Sequence, residues 1–260
     1  MKSETSELRA RNFGDILGDT FRIYGRSFLR LVAIVAIVEV VLAIIGGIVV
    51  GGLLAILFVT GEAIPFEEFP VGPFILGMMM ILAAYILLYP LMEGAVIHAT
   101  SEQHFRPPDI GRAYGFAWKR IGALIGAGVL VFLAVLGMAI TIIGIPFAIY
   151  FGVRWSFVWQ AALLEGYGPR GALSRSSALV KGNWWRVLGI VLVLGIMAGI
   201  ISGILGIIPI VGSAIGAILS MPITIVGATL LYYDLRLKKE GYNLGVMAGE
   251  IGTSPGESVA

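Results

Sequence analysis

The chain contains no cysteine, which excludes disulfides, thiolate metal sites, cysteine nucleophiles and palmitoylation. It is also poor in charge, with Asp, Glu, Lys and Arg making up 13% of its 260 residues, against roughly 25% in an ordinary soluble domain. Histidine occurs only as His98 and His104, and two histidines are not expected to make a metal site. No G-x-S-x-G, H-E-x-x-H, Walker loop or G-x-G-x-x-G opening a soluble βαβ unit is present, and each of those patterns carries a specific chemistry that is therefore unsupported. We expect no cofactor, no metal, no nucleic-acid partner and no enzymatic activity.

What the chain has instead is hydrophobicity, at 58% of its residues, and a strict placement of its basic groups. Seventeen of the eighteen Lys and Arg residues fall in four clusters, at 1–30, 99–120, 165–186 and 236–239. The apolar stretches between them are 31–60, 73–99, 121–164 and 187–233. A helix needs about 20 apolar residues to cross the hydrocarbon core, so the first two stretches cross once and the longer two cross twice. Gly144 with Pro146, and Pro209 with Gly212, break the long stretches near their midpoints. The six expected spans are 31–60, 73–99, 121–143, 146–164, 187–208 and 211–233.

Basic residues stay on the cytoplasmic side, which puts both termini there and leaves three short outer connectors, only the first of them polar, with Glu62, Glu67 and Glu68. The start, MKSETSELRARNFGD, lacks the apolar core and cleavage site of a signal peptide. The first span is therefore expected to act as an uncleaved insertion signal. The domains are expected to be a cytoplasmic N-terminus (1–30), a six-span membrane domain (31–233) and a cytoplasmic tail (234–260).

A weak repeat divides the chain into three units, each opening with a segment of helical period. In the first, Phe13, Ile16, Leu17, Phe21, Tyr24 and Phe28 share one face and Asp15, Asp19, Arg22, Arg26 and Arg30 the other. In the second, Asp109 can cap a helix carrying Ile110, Ala113, Tyr114, Ala117 and Trp118. In the third, Pro169 starts a helix through Leu173, Ser177 and Val180 that Gly182 and Asn183 end. Such helices are expected to lie on the inner leaflet. Each unit's second span then ends alike, at Glu93-Gly94, Glu165-Gly166 and Glu240-Gly241. The fold class is thus an all-α integral membrane protein, with six transmembrane helices as three hairpins, each preceded by a cytoplasmic interfacial amphipathic helix.

Glycines at Gly47 and Gly51, and at Gly195, Gly199 and Gly203, have the spacing that lets membrane helices approach closely. Packing within the chain is the expected use. The residues with potential chemistry are the few ionisable ones inside apolar runs, Glu39, Glu93, His98 and Arg154. Charges at mid-bilayer cost at least ~2.5–3.5 kcal/mol. On straight helices Arg154 would lie roughly 15 Å from the inner end of its span, Glu39 roughly 12 Å and Glu93 roughly 9 Å. Arg154 is expected to meet Glu39 or Glu93 in an intramembrane polar cluster, either as a salt bridge fixing helix register or as a site for an anion, a proton or a lipid head group.

The run EGYGPRGALSRSSALVKGNWWRVLG at 165–189, with VRWSF at 153–157, LLYYDLRLKKEGYNL at 230–244 and GDILGDTFRIYGRSFLRL at 14–31, resembles bacterial polytopic proteins of the glycerophosphoryl diester phosphodiesterase membrane-domain family. In the full-length enzymes of that name a separate soluble barrel holds the catalytic residues, and residues 1–260 contain none of it. The resemblance therefore implies membrane architecture and a lipid-related setting, without hydrolysis. The expected function is that of a membrane scaffold or accessory subunit in the bacterial cytoplasmic membrane. A transporter-like or lipid-handling protein with a site around Arg154 is the second reading. The expected contacts are the anionic head groups of the inner leaflet and a membrane-protein partner or a second copy of the chain.

Overall fold

A computed structural model describes residues 12–59, 71–209 and 211–252. Among them the chain forms eleven helices and no strand: α1 (Phe13–Arg26), α2 (Phe28–Val59), α3 (Val71–Glu102), α4 (Ile110–Lys119), α5 (Ile121–Ala139), α6 (Gly144–Arg154), α7 (Val158–Leu164), α8 (Pro169–Val180), α9 (Trp184–Leu205), α10 (Gly212–Glu240) and α11 (Leu244–Ile251). Six segments are long and apolar enough to cross a membrane, namely Phe28–Gly52, Val71–Glu102, Ile121–Ala139, Gly144–Leu164, Trp184–Leu205 and Gly212–Glu240. This is a multi-pass membrane protein. The polar connector with Glu62, Glu67 and Glu68, the basic residues Lys2, Arg9 and Arg11, and the end of the tail lie outside the described residues.

Local chemistry sets the helix ends. Asp15 accepts the Asn12 backbone N–H at 2.9 Å to open α1, and Asp109 accepts the Arg112 N–H at 2.8 Å to open α4, satisfying donors that a helix start otherwise leaves unpaired. Pro169 stands in the first turn of α8, where its missing N–H costs nothing. The turns after α5 and α9 are each closed by a glycine that nothing larger could replace. A Cβ on Gly144 would stand 1.8 Å from the Met138 carbonyl oxygen, and one on Gly212 would stand 2.0 Å from that of Leu205.

Consecutive spans pack together, α2 on α3, α5 on α6 and α9 on α10. The core is concentrated at the basic end, in most of Met92–Ala99 of α3, all of α7 except Trp159, and most of residues 223–235 of α10. The opposite halves of α2, α3, α5 and α9 present Ile44, Met79, Phe132 and Ile200 outward, as spans facing lipid tails do.

Four expectations need correction. α3 does not stop at Glu93-Gly94 but runs through it to Glu102. Gly94 is a packing glycine whose Cβ would lie 3.0 Å from both Ala117 Cβ and Leu124 Cδ1. The glycines at 47, 51, 195, 199 and 203 meet nothing within 4 Å, so among the described residues they pack against no helix. Intrachain close approach falls elsewhere, as at Gly227 against Leu194.

α1 breaks at the buried Ser27, and the side it turns to the bundle is Ile16 and Thr20, while Phe13, Phe21 and Phe28 point outward. Lastly, the fourth span is not straight. It breaks at 155–157, where Ser176 of α8 acts as a splint, its Oγ donating to the Arg154 carbonyl at 2.8 Å and accepting the Phe157 N–H at 3.1 Å. A borrowed hydroxyl thus satisfies backbone groups that the break frees.

Candidate functional site

The break relocates Arg154. Instead of meeting a carboxylate at mid-depth, its guanidinium lies 5.7 Å and 5.8 Å from the ring centres of Tyr150 and Phe151. It lines a shallow pocket of about 320 Å³ with Lys181, Gly182 and Trp184. Trp184 starts α9 and its Nε1 donates to the Tyr150 carbonyl at 3.2 Å, so Arg154 is level with the basic end of the neighbouring span. Glu39 on α2 and Glu93 on α3 each lie within electrostatic range of Tyr89. Arg154 forms no ion pair with either among the described residues. Aromatic contacts of an accessible cation are worth about 0.5–1 kcal/mol. Arg154→Gln should accordingly shift stability by no more than about 1 kcal/mol in thermal or denaturant unfolding of the detergent-solubilised protein; a loss of about 3–5 kcal/mol would restore the buried salt bridge.

The charged groups that do converge form a layer at the basic end. Glu102, at the end of α3 and fully buried, accepts from Arg106 Nε at 2.7 Å, Arg112 Nε at 2.8 Å and the Asp109 N–H at 3.1 Å. Glu165, following α7, accepts from Arg175 Nε at 2.9 Å on both oxygens and from the Tyr232 hydroxyl. Arg175 also grips Glu240 through two nitrogens. Arg236 of α10 bonds Glu250 of α11 at 2.8 Å and 2.9 Å, and lies 3.4 Å from Glu240 and 3.7 Å from Glu165. The Tyr242 ring sits 3.9 Å beneath its guanidinium and donates its hydroxyl to Glu250 at 2.7 Å. A third pairing joins Arg186 of α9 to the buried Asp234 of α10 at 2.6 Å.

Electrostatics follow from that geometry. The hydrogen bonds that it donates to Glu240, together with Glu165, hold the Arg175 guanidinium above its ordinary pKa despite burial. Burial, then Tyr233 and Glu250, raises that of the Tyr242 hydroxyl. The carboxylates of the layer accept from arginines fixed on neighbouring helices. What the arrangement does chemically is tie α3 to α4, α7 to α8, and α8 and α11 to α10.

A register recurs in two places in this layer. Glu102 and Arg112 stand ten residues apart, as do Glu165 and Arg175. In both units the carboxylate ends a span and the arginine sits on the following short helix. Ten residues after Glu240 comes Glu250, and there the polarity reverses, with Arg236 on the span supplying the cation. None of these pairs was singled out from the sequence, where Glu165 and Glu240 read only as helix endings. The repeated Glu-x9-Arg spacing was the available signal.

Residues 110–234, a little under half of the chain, match the family model described as Domain of unknown function (DUF7847). The match runs from the start of α4 to Asp234. It takes in Arg154, Glu165, Arg175 and Arg186, and leaves out Glu39, Glu93 and Glu102. No curated protein matches the chain, and no solved structure matches it.

Proposed function

We propose that this chain is a non-enzymatic membrane scaffold or accessory subunit, built as three hairpins that each follow a short helix lying in the inner-leaflet interface. We place it in the bacterial cytoplasmic membrane with both termini inside, following the one-sided basic clusters. The sequence resemblance adds a lipid- or envelope-related setting, and the layer's outer surface is where a membrane-protein partner or second copy would attach. The observation that carries this reading is the layer itself: Glu102, Glu165, Asp234 and Glu250 are each paired to an arginine on another helix, Arg112, Arg175, Arg186 and Arg236 in turn. A general base or a translocation site needs such groups presented to a substrate.

A lipid-handling protein is the second reading, favoured by Arg154 and Lys181 beside Tyr150 and Trp184, two cations sharing a pocket whose lining has no carboxylate. Reconstitution into vesicles separates the two. The scaffold reading predicts proton, phosphate and labelled-lipid movement no faster than in protein-free vesicles, and recovery of the chain from crosslinked native membranes in a stoichiometric complex. Lipid movement that Arg154→Gln abolishes would favour the second reading.

A further inference from the structure

Between the α1–α2 break and the segment joining α3 to α4 lies a cleft of about 530 Å³, lined by Arg22, Arg26, Arg30, His104 and Arg106, with Asp19 its one carboxylate. The cations come from two places far apart in sequence, brought together because α1 packs beside α2 and the 103–109 segment turns back past them. Arg22 pairs with Asp19 at 2.9 Å and Arg106 with the buried Glu102 at 2.7 Å. Arg26 and Arg30 form no ion pair among the described residues and are exposed. Gln103 lines the same cleft, and its side-chain Nε2 is buried without a hydrogen-bond partner, a donor that water cannot easily serve.

We infer that this cleft binds the phosphate head group of an anionic phospholipid from the adjoining leaflet. Guanidinium forks match phosphate oxygens in geometry and charge, and a cleft of several hundred cubic ångströms is of the size that holds a small ligand. Lipid is the source because of what flanks the arginines. Phe28 and Leu29 stand between Arg26 and Arg30 in sequence and are exposed, Leu29 at 77%, and Ile37, Val40 and Ile44 continue an open apolar surface up α2. A head group in the cleft would thus lay its acyl chains along α2, where a soluble anion would leave that surface unused. The inference is independent of the scaffold reading, since it concerns a surface and not the paired layer.

The test uses the full chain in neutral-lipid nanodiscs, with native mass spectrometry counting retained phosphatidylglycerol against phosphatidylcholine. Wild type should retain phosphatidylglycerol preferentially. Arg26→Gln with Arg30→Gln should weaken that preference about 25-fold, each arginine beside a membrane surface contributing about fivefold, at unchanged melting temperature. The control is Lys119→Gln with Arg170→Gln, which removes the same charge away from the cleft and should leave retention intact. Equal loss in both double variants would mean a diffuse surface potential and overturn the site. Displacement of the lipid by millimolar glycerol phosphate, with glycerol phosphate itself retained, would make a soluble phosphate the occupant and overturn the lipid assignment. Loss confined to the cleft variant and indifference to glycerol phosphate would establish it.

Discussion

Glu165→Ala destabilises the folded protein by about 3–5 kcal/mol. The carboxylate is 11% exposed and is the point where Arg175, Arg236 and the Tyr232 hydroxyl meet. Its removal strands donors in a site with little water to replace it, and breaking one side of a buried pair costs more than the pair contributes. Denaturant unfolding in detergent reads the effect directly. Glu165→Leu combined with Arg175→Leu should recover much of the loss, because it removes both charges at once, and the cycle should show coupling of about 0.5–3 kcal/mol. A single variant within about 1 kcal/mol of wild type, the range of exposed pairs, would mean that the layer carries no structural weight.

Glu102→Ala should cost a similar amount, about 3–5 kcal/mol, with a different local signature. This carboxylate is inaccessible to solvent and holds two arginines and one backbone N–H of the α3–α4 connection. Without it the segment 103–109 and the start of α4 lose their anchor. Limited proteolysis should therefore cut there before the rest of the bundle unfolds. Arg112→Ala should cost much less, because Arg112 is 46% exposed and Arg106 still neutralises Glu102. Equal losses for Glu102→Ala and Arg112→Ala would contradict the assignment of Glu102 as the hub.

The parts legible in the sequence were those fixed by solvent. A run of apolar residues bounded by basic clusters has one stable disposition in a bilayer, so the six spans follow from counting. Asp109 as a cap, and Pro169 and Gly182 as the bounds of α8, follow from backbone chemistry that needs no partner. What was not legible depended on contacts between distant helices. No proline or glycine marks the break at 155–157; Ser176, on another helix, makes it tenable, and a depth estimate on a straight helix therefore misplaced Arg154. Glu93-Gly94 looks like Glu165-Gly166, but Gly166 has a positive φ of 73° whereas Gly94 sits mid-helix against Ala117 and Leu124. The glycine spacings at 47–51 and 195–203 mark faces capable of close packing, and nothing in a spacing says which glycines will be used.

The proposed topology puts the paired charge layer at the cytoplasmic face of the six-span bundle. The absence of cysteine makes the direct measurement simple, since any introduced thiol is the only one. Glu67→Cys in the first connector and Ser174→Cys on the exposed side of α8 should be tested with a membrane-impermeant maleimide on intact cells and after permeabilisation. The first variant should be labelled in intact cells and the second only after permeabilisation. Labelling of both variants from the same side would contradict it.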